Sequence, residues 1–328
     1  VEKALVGSVE VSSSSTVSPR QAFEQWEALM ADAVAPSQIA PLHDGRWSGK
    51  MVTAQFDNFA VSRMRASAQR ALRTKRLVDQ STEEFLLVNI VTSGTNWTEQ
   101  NGVTAESSAG TITFFDSGLP LESNTTDDAE STMVRAPIQL ILDHTGLRRE
   151  ELPTALALPT TGALGVIAGF FRQLVSLPTG ELDRAITVLG NDAAVMLGSA
   201  VQLAAADTAT TAGAADALCT RQLVLGYMRQ HCTRPDLTVD EIARACLISR
   251  RTLYRVCEGF GEPGAILRRM RVEHARKLLR ANPTRALAAI AADSGFATDR
   301  HFYRAFREET GFTPGQLREQ LGRRPGAH

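Results

Sequence analysis

Aromatic residues are scarce in this chain. They fill 6% of its 328 positions, with three tryptophans and three tyrosines. Cysteine is scarcer still: Cys219, Cys232, Cys246 and Cys257, none in a C-x-x-C pair and all in the last third. Zinc sites want closely spaced ligand pairs, so this spacing argues against a metal and reads as small apolar core residues. His43 and His144 stand alone in the first two-thirds and form no ligand-like cluster. No uninterrupted apolar run nears the roughly 20 residues of a membrane span. The opening "VEKALVGSVEVSSSSTVSP" lacks a basic segment followed by an apolar one, so it does not read as a signal peptide. These two absences predict a cytoplasmic chain with no membrane partner. A nucleophile elbow and a phosphate loop are also missing, so the reading is no enzyme, no catalytic residue and no cofactor.

What is present is a soluble composition, 43% apolar and 22% charged, with a charge asymmetry hidden in the net −1. Residues 217–328 hold 20 Lys and Arg against 11 Asp and Glu, a balance of +9, nearly all arginine. Residues 1–216 carry −10. A basic block of this size suits a polyanion. The change of sign coincides with "DTATTAGAAD", small and polar, which reads as a linker over 207–216. The expected organisation is a flexible arm over 1–17, an N-terminal domain over 18–206, the linker, and a basic domain over 217–322.

In the N-terminal domain, Ser18, Pro19 and Gln21 have the capping-box spacing that starts a helix running to Ala33. Short strand-like segments follow. "KMVTAQFDNFAVSRM" has a turn expected at Asp57-Asn58, "FLLVNIVTSG" ends at Gly94, and "TNWTEQNGVTAES" carries the hairpin signal Asn101-Gly102. "GTITFFDSGLPLES" turns at Asp116–Gly118, and "TMVRAPIQLILDH" reads as another strand. This pattern predicts an antiparallel barrel or sandwich. From Gly162 two helices follow, the second apolar at Leu182, Ile186, Leu189, Val195, Leu197 and Val201. They suit either closure of the barrel or pairing with a second copy.

The basic domain contains an internal repeat. "SRRTLYRVCEGFGEP" from Ser249 aligns with "TDRHFYRAFREETGFTP" from Thr298 at an offset of 49. Each copy follows a short helix containing Ile-Ala, a turn, and Ser or Thr as an N-cap. Two helices joined by a tight turn, the second basic on its outer face, make a helix-turn-helix, here twice. Leu253, Val256, Cys257 and Phe260 form the buried seam of one unit, Phe302 and Phe306 that of the other. The opposite faces are then free to enter DNA grooves, where the arginine fork bonds a guanine edge or clamps a phosphate.

At these residues the chain resembles the AraC/XylS family of bacterial transcription regulators, over Arg221 to Arg318. "DSGFATDRHFYRAFREETGFTPGQLR" is similar to that family's signature at Gly295, Phe296, Phe302, Phe306, Gly311, Pro314 and Arg318. The first unit departs from it, with Cys257 and Ile266 where aromatics are usual. The resemblance implies a sequence-specific DNA-binding transcription regulator, an effector-responsive activator, working in the bacterial cytoplasm and on the nucleoid. Its partners would be double-stranded DNA, a small-molecule effector, a second copy in a homodimer, and RNA polymerase. The alternative is a ligand-independent repressor or architectural protein. The DNA-facing set carried over is Ser249, Arg250, Arg251, Tyr254 and Arg255, then Thr298, Asp299, Arg300, His301 and Arg304. Ser249 and Thr298 act first as caps; Asp299 either accepts from a cytosine amino group or pairs with neighbouring arginines. The N-terminal domain, over Ala22 to Leu142, more weakly resembles a cupin-like effector-binding domain, in "AFEQWEALM", "SAQRALRTKRLV" and "GTITFFDSGLPLE". The fold class expected is α+β multidomain: a cupin-like antiparallel barrel with flanking helices, then an all-α double helix-turn-helix. Arg73, Lys75 and Arg76 form a basic cluster that reads as a solvated face or as a contact for an anion.

Overall fold

The computed structural model describes residues 6–12, 19–43, 47–56, 59–127, 129–208, 212–258 and 260–322. The chain divides into two units, Val1–Ala209 and Thr210–His328. The first unit opens with β1 (Val6–Ser12) and α1 (Pro19–Ala33). β2 (Gln38–Pro41), β3 (Ser48–Gln55), β4 (Ala60–Ala66), β5 (Gln69–Arg73) and α2 (Lys75–Asp79) follow. Next come β6 (Phe85–Ser93), β7 (Thr95–Gln100), β8 (Val103–Ser108), β9 (Thr111–Asp116), β10 (Leu121–Thr125) and β11 (Ala129–Pro137). α3 (Ile138–Thr145), β12 (Leu158–Pro159), α4 (Gly162–Leu174) and α5 (Thr179–Thr208) complete it.

The strands form two antiparallel sheets, ordered β1-β3-β4-β11-β6-β9-β12 and β2-β5-β10-β7-β8. No strand belongs to both, so the expected barrel is an open cupin-like jelly roll. Polar bonds tie the sheets together. Ser107 and Thr113 share a hydroxyl hydrogen bond of 2.7 Å, and the Gln100 amide both donates to the Asp116 carbonyl (3.0 Å) and accepts from its N–H (2.9 Å). At one end α1 plugs the sandwich, with Trp26 and Phe23 against Trp47 and the Trp26 indole donating to Gln69 at 2.9 Å. α3 and α4 pack against strands of the larger sheet and against α5.

Several local readings are met. Asn101 and Gly102 adopt φ of 54° and 76°, the left-handed pair that a two-residue hairpin demands. The turn after β9 forms as expected, with the Gly118 N–H donating to Asp116 Oδ1 at 2.8 Å. Ser18, and the Asp57-Asn58 turn between the antiparallel β3 and β4, lie outside the described residues.

Other readings need correction. Within the expected arm, residues 6–12 form β1, in register with β3 from Val6↔Ala54 to Ser12↔Ser48. The β-branched Val9 and Val11 favour extended backbone, and Val11 is buried there. "TMVRAPIQLILDH" is a strand only to Pro137. Beyond it Ile138, Ile141 and Thr145 fall on one buried helical face, and Gly146 at φ 66° ends the turn. The division of the chain at 209/210 falls inside the expected linker over 207–216, into which α5 runs as far as Thr208 and from which the next helix starts at Ala212, as alanine-rich sequence favours. The face expected on α5 is split. Leu182, Leu197 and Val201 are buried, whereas Val195 points to solvent with Val188. By length and composition Val188–Thr208 would be long and apolar enough to cross a membrane; here 47% of it is buried inside the fold.

Arg73 is neither a solvated charge nor open to an anion. It is 2% exposed and donates to the Ser117 and Pro36 carbonyls and the Ser81 hydroxyl at 2.8, 2.6 and 2.8 Å. Lys75 pairs instead with Asp79 on its own helix.

A second guanidinium fastens the segment after α3. Arg149 grips the buried Asp116 carboxylate with two bonds of 2.6 and 2.7 Å and reaches Glu84 at 2.8 Å. A side chain at Gly118 would collide with this guanidinium, since a Cβ there would lie 2.0 Å from Arg149 Nη2.

The second unit is helical: α6 (Ala212–His231), α7 (Val239–Ala245), α8 (Arg250–Cys257), α9 (Pro263–Ala281), α10 (Leu287–Asp293), α11 (Asp299–Thr310) and α12 (Pro314–Gly322). It holds two cores, and α9 serves both. Ile266 and Leu267 join Val224, Met228, Ile242, Leu253 and Val256 in the first. Val272, Ala275 and Leu279 join Ile290, Phe296, Phe302 and Phe306 in the second.

Arg149→Gln should strand the Asp116 carboxylate inside the first unit and cost about 2–3 kcal/mol. All three tryptophans lie in that unit, so urea denaturation followed by tryptophan fluorescence measures the loss there without interference from the helical unit.

Candidate nucleic-acid interface

Each recognition helix starts on a hydroxyl cap. The Ser249 hydroxyl accepts from the Thr252 N–H at 3.0 Å, and the Thr298 hydroxyl from the His301 N–H at 3.3 Å. The Thr238 hydroxyl caps α7 in the same way, accepting from the Glu241 N–H at 3.2 Å. From these starts the apolar positions turn inward. Leu253, Val256 and Cys257 are buried under α8; Phe302, Ala305 and Phe306 are buried under α11. Phe302 packs edge-on to Phe306 and is tilted against Phe296. Burial pushes the Cys257 thiol up to about 11, so it remains a neutral core group. Cys232 and Cys246 are buried in the same core, and only Cys219 of the four is exposed.

All ten residues expected at the interface are exposed: Ser249, Arg250, Arg251, Tyr254 and Arg255 on the first helix, and Thr298, Asp299, Arg300, His301 and Arg304 on the second. Their states differ. Arg250 is held 3.1 Å from Asp240 on α7 and lies 5.9 Å over the Tyr254 ring. Arg304 makes a long contact of 3.9 Å with Glu308. Among the described residues Arg251, Arg255 and Arg300 form no ion pair, nor does Asp299, which leaves its carboxylate open to an external donor such as a cytosine amino group. Arg307 and Tyr303 are also exposed on α11. Arg300, Arg304 and Arg307 fall at i, i+4 and i+7, so Arg307 shares their face although it lies outside the expected set.

The two turns differ in a way the ungapped repeat concealed. Leu247 (φ 55°) and Gly295 (φ 79°) are the left-handed residues that end α7 and α10. In each turn the next N–H reaches back to an alanine carbonyl at 3.0 Å, Ile248 to Ala243 and Phe296 to Ala291. The second turn then inserts one more residue, Ala297, before its cap. Leu247 stands 94% exposed. Gly295 is enclosed: a Cβ there would lie 2.4 Å from the Cys232 carbonyl oxygen, which lies just past the end of α6 in the first subdomain.

Arg271, one of many arginines in a basic helix, faces inward. Its guanidinium donates to the Cys232 carbonyl at 2.8 Å and the Arg234 carbonyl at 2.6 Å. Nearby His274 lies 3.3 Å from the Ser294 hydroxyl, its pKa lowered mainly by burial. Glu309 of α11 contacts Arg269 at 3.6 Å and Arg268 at 3.9 Å on α9. The two subdomains therefore share a helix, a clamp and a close backbone approach. Nothing in the residue spacing separated Arg271 from its solvent-facing neighbours.

A jelly roll in one unit and two rigidly joined helix-turn-helices in the other define a class, the DNA-binding transcription regulators with a sensory domain. Comparison with protein-family models agrees: residues 26–202 match the AraC-binding-like domain and residues 242–320 a helix-turn-helix domain. The chain belongs to this family, the AraC-type transcription regulators. It is 26% identical over 284 residues to the transcriptional activator NphR of Rhodococcus sp., covering 85% of this chain and 82% of that protein. It is 24% identical over 145 residues to an uncharacterized protein in the nit 5' region of Bacillus sp. (strain OxB-1), covering 44% and 55%. Among solved structures it resembles the AraC-like transcriptional activator CuxR, at 19% identity and TM-score 0.49, over 88% of this chain and all of that one. The family is one of regulators, not enzymes.

Gly295→Ala should cost about 2–4 kcal/mol, from the left-handed backbone together with the clash at Cys232. Leu247→Gly should instead raise stability by about 1 kcal/mol, because it relieves the same backbone conformation at an open position. Thermal melts of the helical unit by circular dichroism read both, and the opposite signs are the test.

Proposed function

We propose that the chain activates transcription from specific DNA sites in response to a small molecule, through α8 and α11. The observation that carries this is the pair of capped helices, joined by α9, whose exposed faces hold arginines with no internal partner. An arginine in water loses little by remaining unpaired and has its fork available to a guanine or phosphate. α9 is about 28 Å long and each subdomain occupies one half of it. This arrangement suits two neighbouring major-groove segments on one face of a duplex, about 34 Å apart. Arg251, Arg255 and Arg300 are assigned to base or phosphate contact. Arg250 has to exchange Asp240 for DNA, so its share is smaller. Arg304 and Arg307 extend the second contact toward the backbone.

The activator reading draws support from the Rhodococcus relative, itself a transcriptional activator. An effector inside the jelly roll fits its interior, where the buried Asn89, Asn96, Thr98, Ser107 and Thr113 give polar walls. Asn89 Oδ1 is buried there without a hydrogen-bond partner. Homodimerisation through the exposed Val188 and Val195 of α5, contact with RNA polymerase, and a cytoplasmic, nucleoid-associated location complete the reading.

Arg251→Ala, Arg255→Ala and Arg300→Ala should each weaken binding to a selected site by about 1–3 kcal/mol, roughly 5- to 150-fold, while Arg250→Ala costs less. Fluorescence anisotropy on a site obtained by in vitro selection measures this. An equal loss on unrelated DNA would reassign that arginine to phosphate. A DNA response to no metabolite in a broad panel would favour the ligand-independent alternative.

A further inference from the structure

The outer face of the smaller sheet carries a groove of about 610 Å³ that the DNA-binding function does not use. Its floor is a row of three side chains across three adjacent strands. Glu106 on β8 is in register with Trp97 on β7, and Trp97 with Asn124 on β10. The neighbours in β7, Asn96 and Thr98, are buried toward the interior, whereas Trp97 is 37% exposed. Leu42, His43 and Asp127 complete the rim.

Several polar groups of this groove make no hydrogen bond within the described residues. Asn124 Oδ1 is buried and accepts no hydrogen bond. Among the described residues neither the Glu106 carboxylate, the Trp97 indole N–H nor the His43 imidazole has a hydrogen-bond partner. Glu106 and Trp97 are both exposed, so a ligand in the groove reaches them without breaking an internal bond. Asp127 adds a second carboxylate, which accepts from the Ala68 N–H at 2.9 Å. The nearest cation in the same row, Arg70, is neutralised by Glu122 at 2.9 Å.

We propose that this groove is a second ligand site, separate from the jelly-roll interior, and that it binds an organic cation bearing N–H donors. An ammonium or amidinium group would donate to the exposed Glu106 carboxylate, while its charge and carbon frame lie on the Trp97 ring. An ammonium held over an indole is attracted by the ring's negative face, and a carboxylate at its side strengthens the N–H bond. An anion would meet two carboxylates and no unpaired guanidinium. A neutral alcohol would forgo both charge interactions.

Isothermal titration of the full chain with benzylammonium, benzyl alcohol and benzoate tests the assignment. Benzylammonium should bind with a Kd below about 1 mM, the alcohol at least roughly tenfold more weakly, and benzoate not measurably. Glu106→Gln and Trp97→Ala, both at exposed positions, should each weaken benzylammonium binding about tenfold or more with an unchanged circular dichroism spectrum. Asn89→Ala, in the interior, should leave it unaltered. No binding of benzylammonium up to about 10 mM overturns the proposal, as does equal binding of the alcohol to the unsubstituted chain. Binding lost in Asn89→Ala but kept in Glu106→Gln moves the ligand to the interior and overturns it too.

Discussion

The DNA-binding unit depends on the sharing of α9. A helix of this length has no stable core of its own, and here it contributes one to each of two subdomains. Arg271 in its middle donates to the carbonyls that end α6 and begin the following loop, groups that would otherwise be orphaned at a helix terminus. Because those carbonyls belong to the first subdomain and the Gly295 turn of the second rests on the same segment, the two recognition helices are set relative to one another. The shared helix and the clamp act together to set the spacing of α8 and α11.

Rigidity at that point changes what the exposed arginines are able to do. Arg251, Arg255 and Arg300 are solvated when the protein is alone, so their charges cost the fold little. On the proposed reading, once α8 and α11 are fixed together the entropy of bringing two basic surfaces to one duplex is already lost on folding, and both sets of contacts add to one binding event. In the jelly-roll unit arginine serves the reverse purpose. Arg73 and Arg149 spend their donors on internal carbonyls and carboxylates, where they fasten loops to sheet.

The helix-turn-helix pair was legible because its signals are local. Hydroxyl caps, helical spacing of Leu253, Val256, Phe302 and Phe306, and the repeat itself all act within a few turns. The Asn101-Gly102 hairpin was legible for the same reason: its backbone conformation permits few other residues. The failures lie where a distant partner decides. β1 reads as an arm until β3 is available to pair with it. The end of β11 reads as strand because Ile138, Leu140 and Ile141 are apolar in either period, and the sheet ends where α3 can cover it. Arg73 looks like one of three surface cations because no local pattern announces the Pro36 and Ser117 carbonyls. The groove at Trp97 escaped notice because its three floor residues are far apart in sequence and meet only through strand register.

The sequence by itself determined the identity of the recognition helices, their caps, their buried seams, the basic character of one unit and the all-antiparallel character of the other. These follow from side-chain chemistry and spacing within single elements. Tertiary structure decided which arginines are clamps and which stay exposed and unpaired, that Gly295 is a packing requirement and Leu247 is not, and that an unpaired oxygen and an unpaired carboxylate flank one exposed indole. A side chain's type sets which interactions it is capable of, but its partners come from other segments, and only the folded chain brings those within bonding distance.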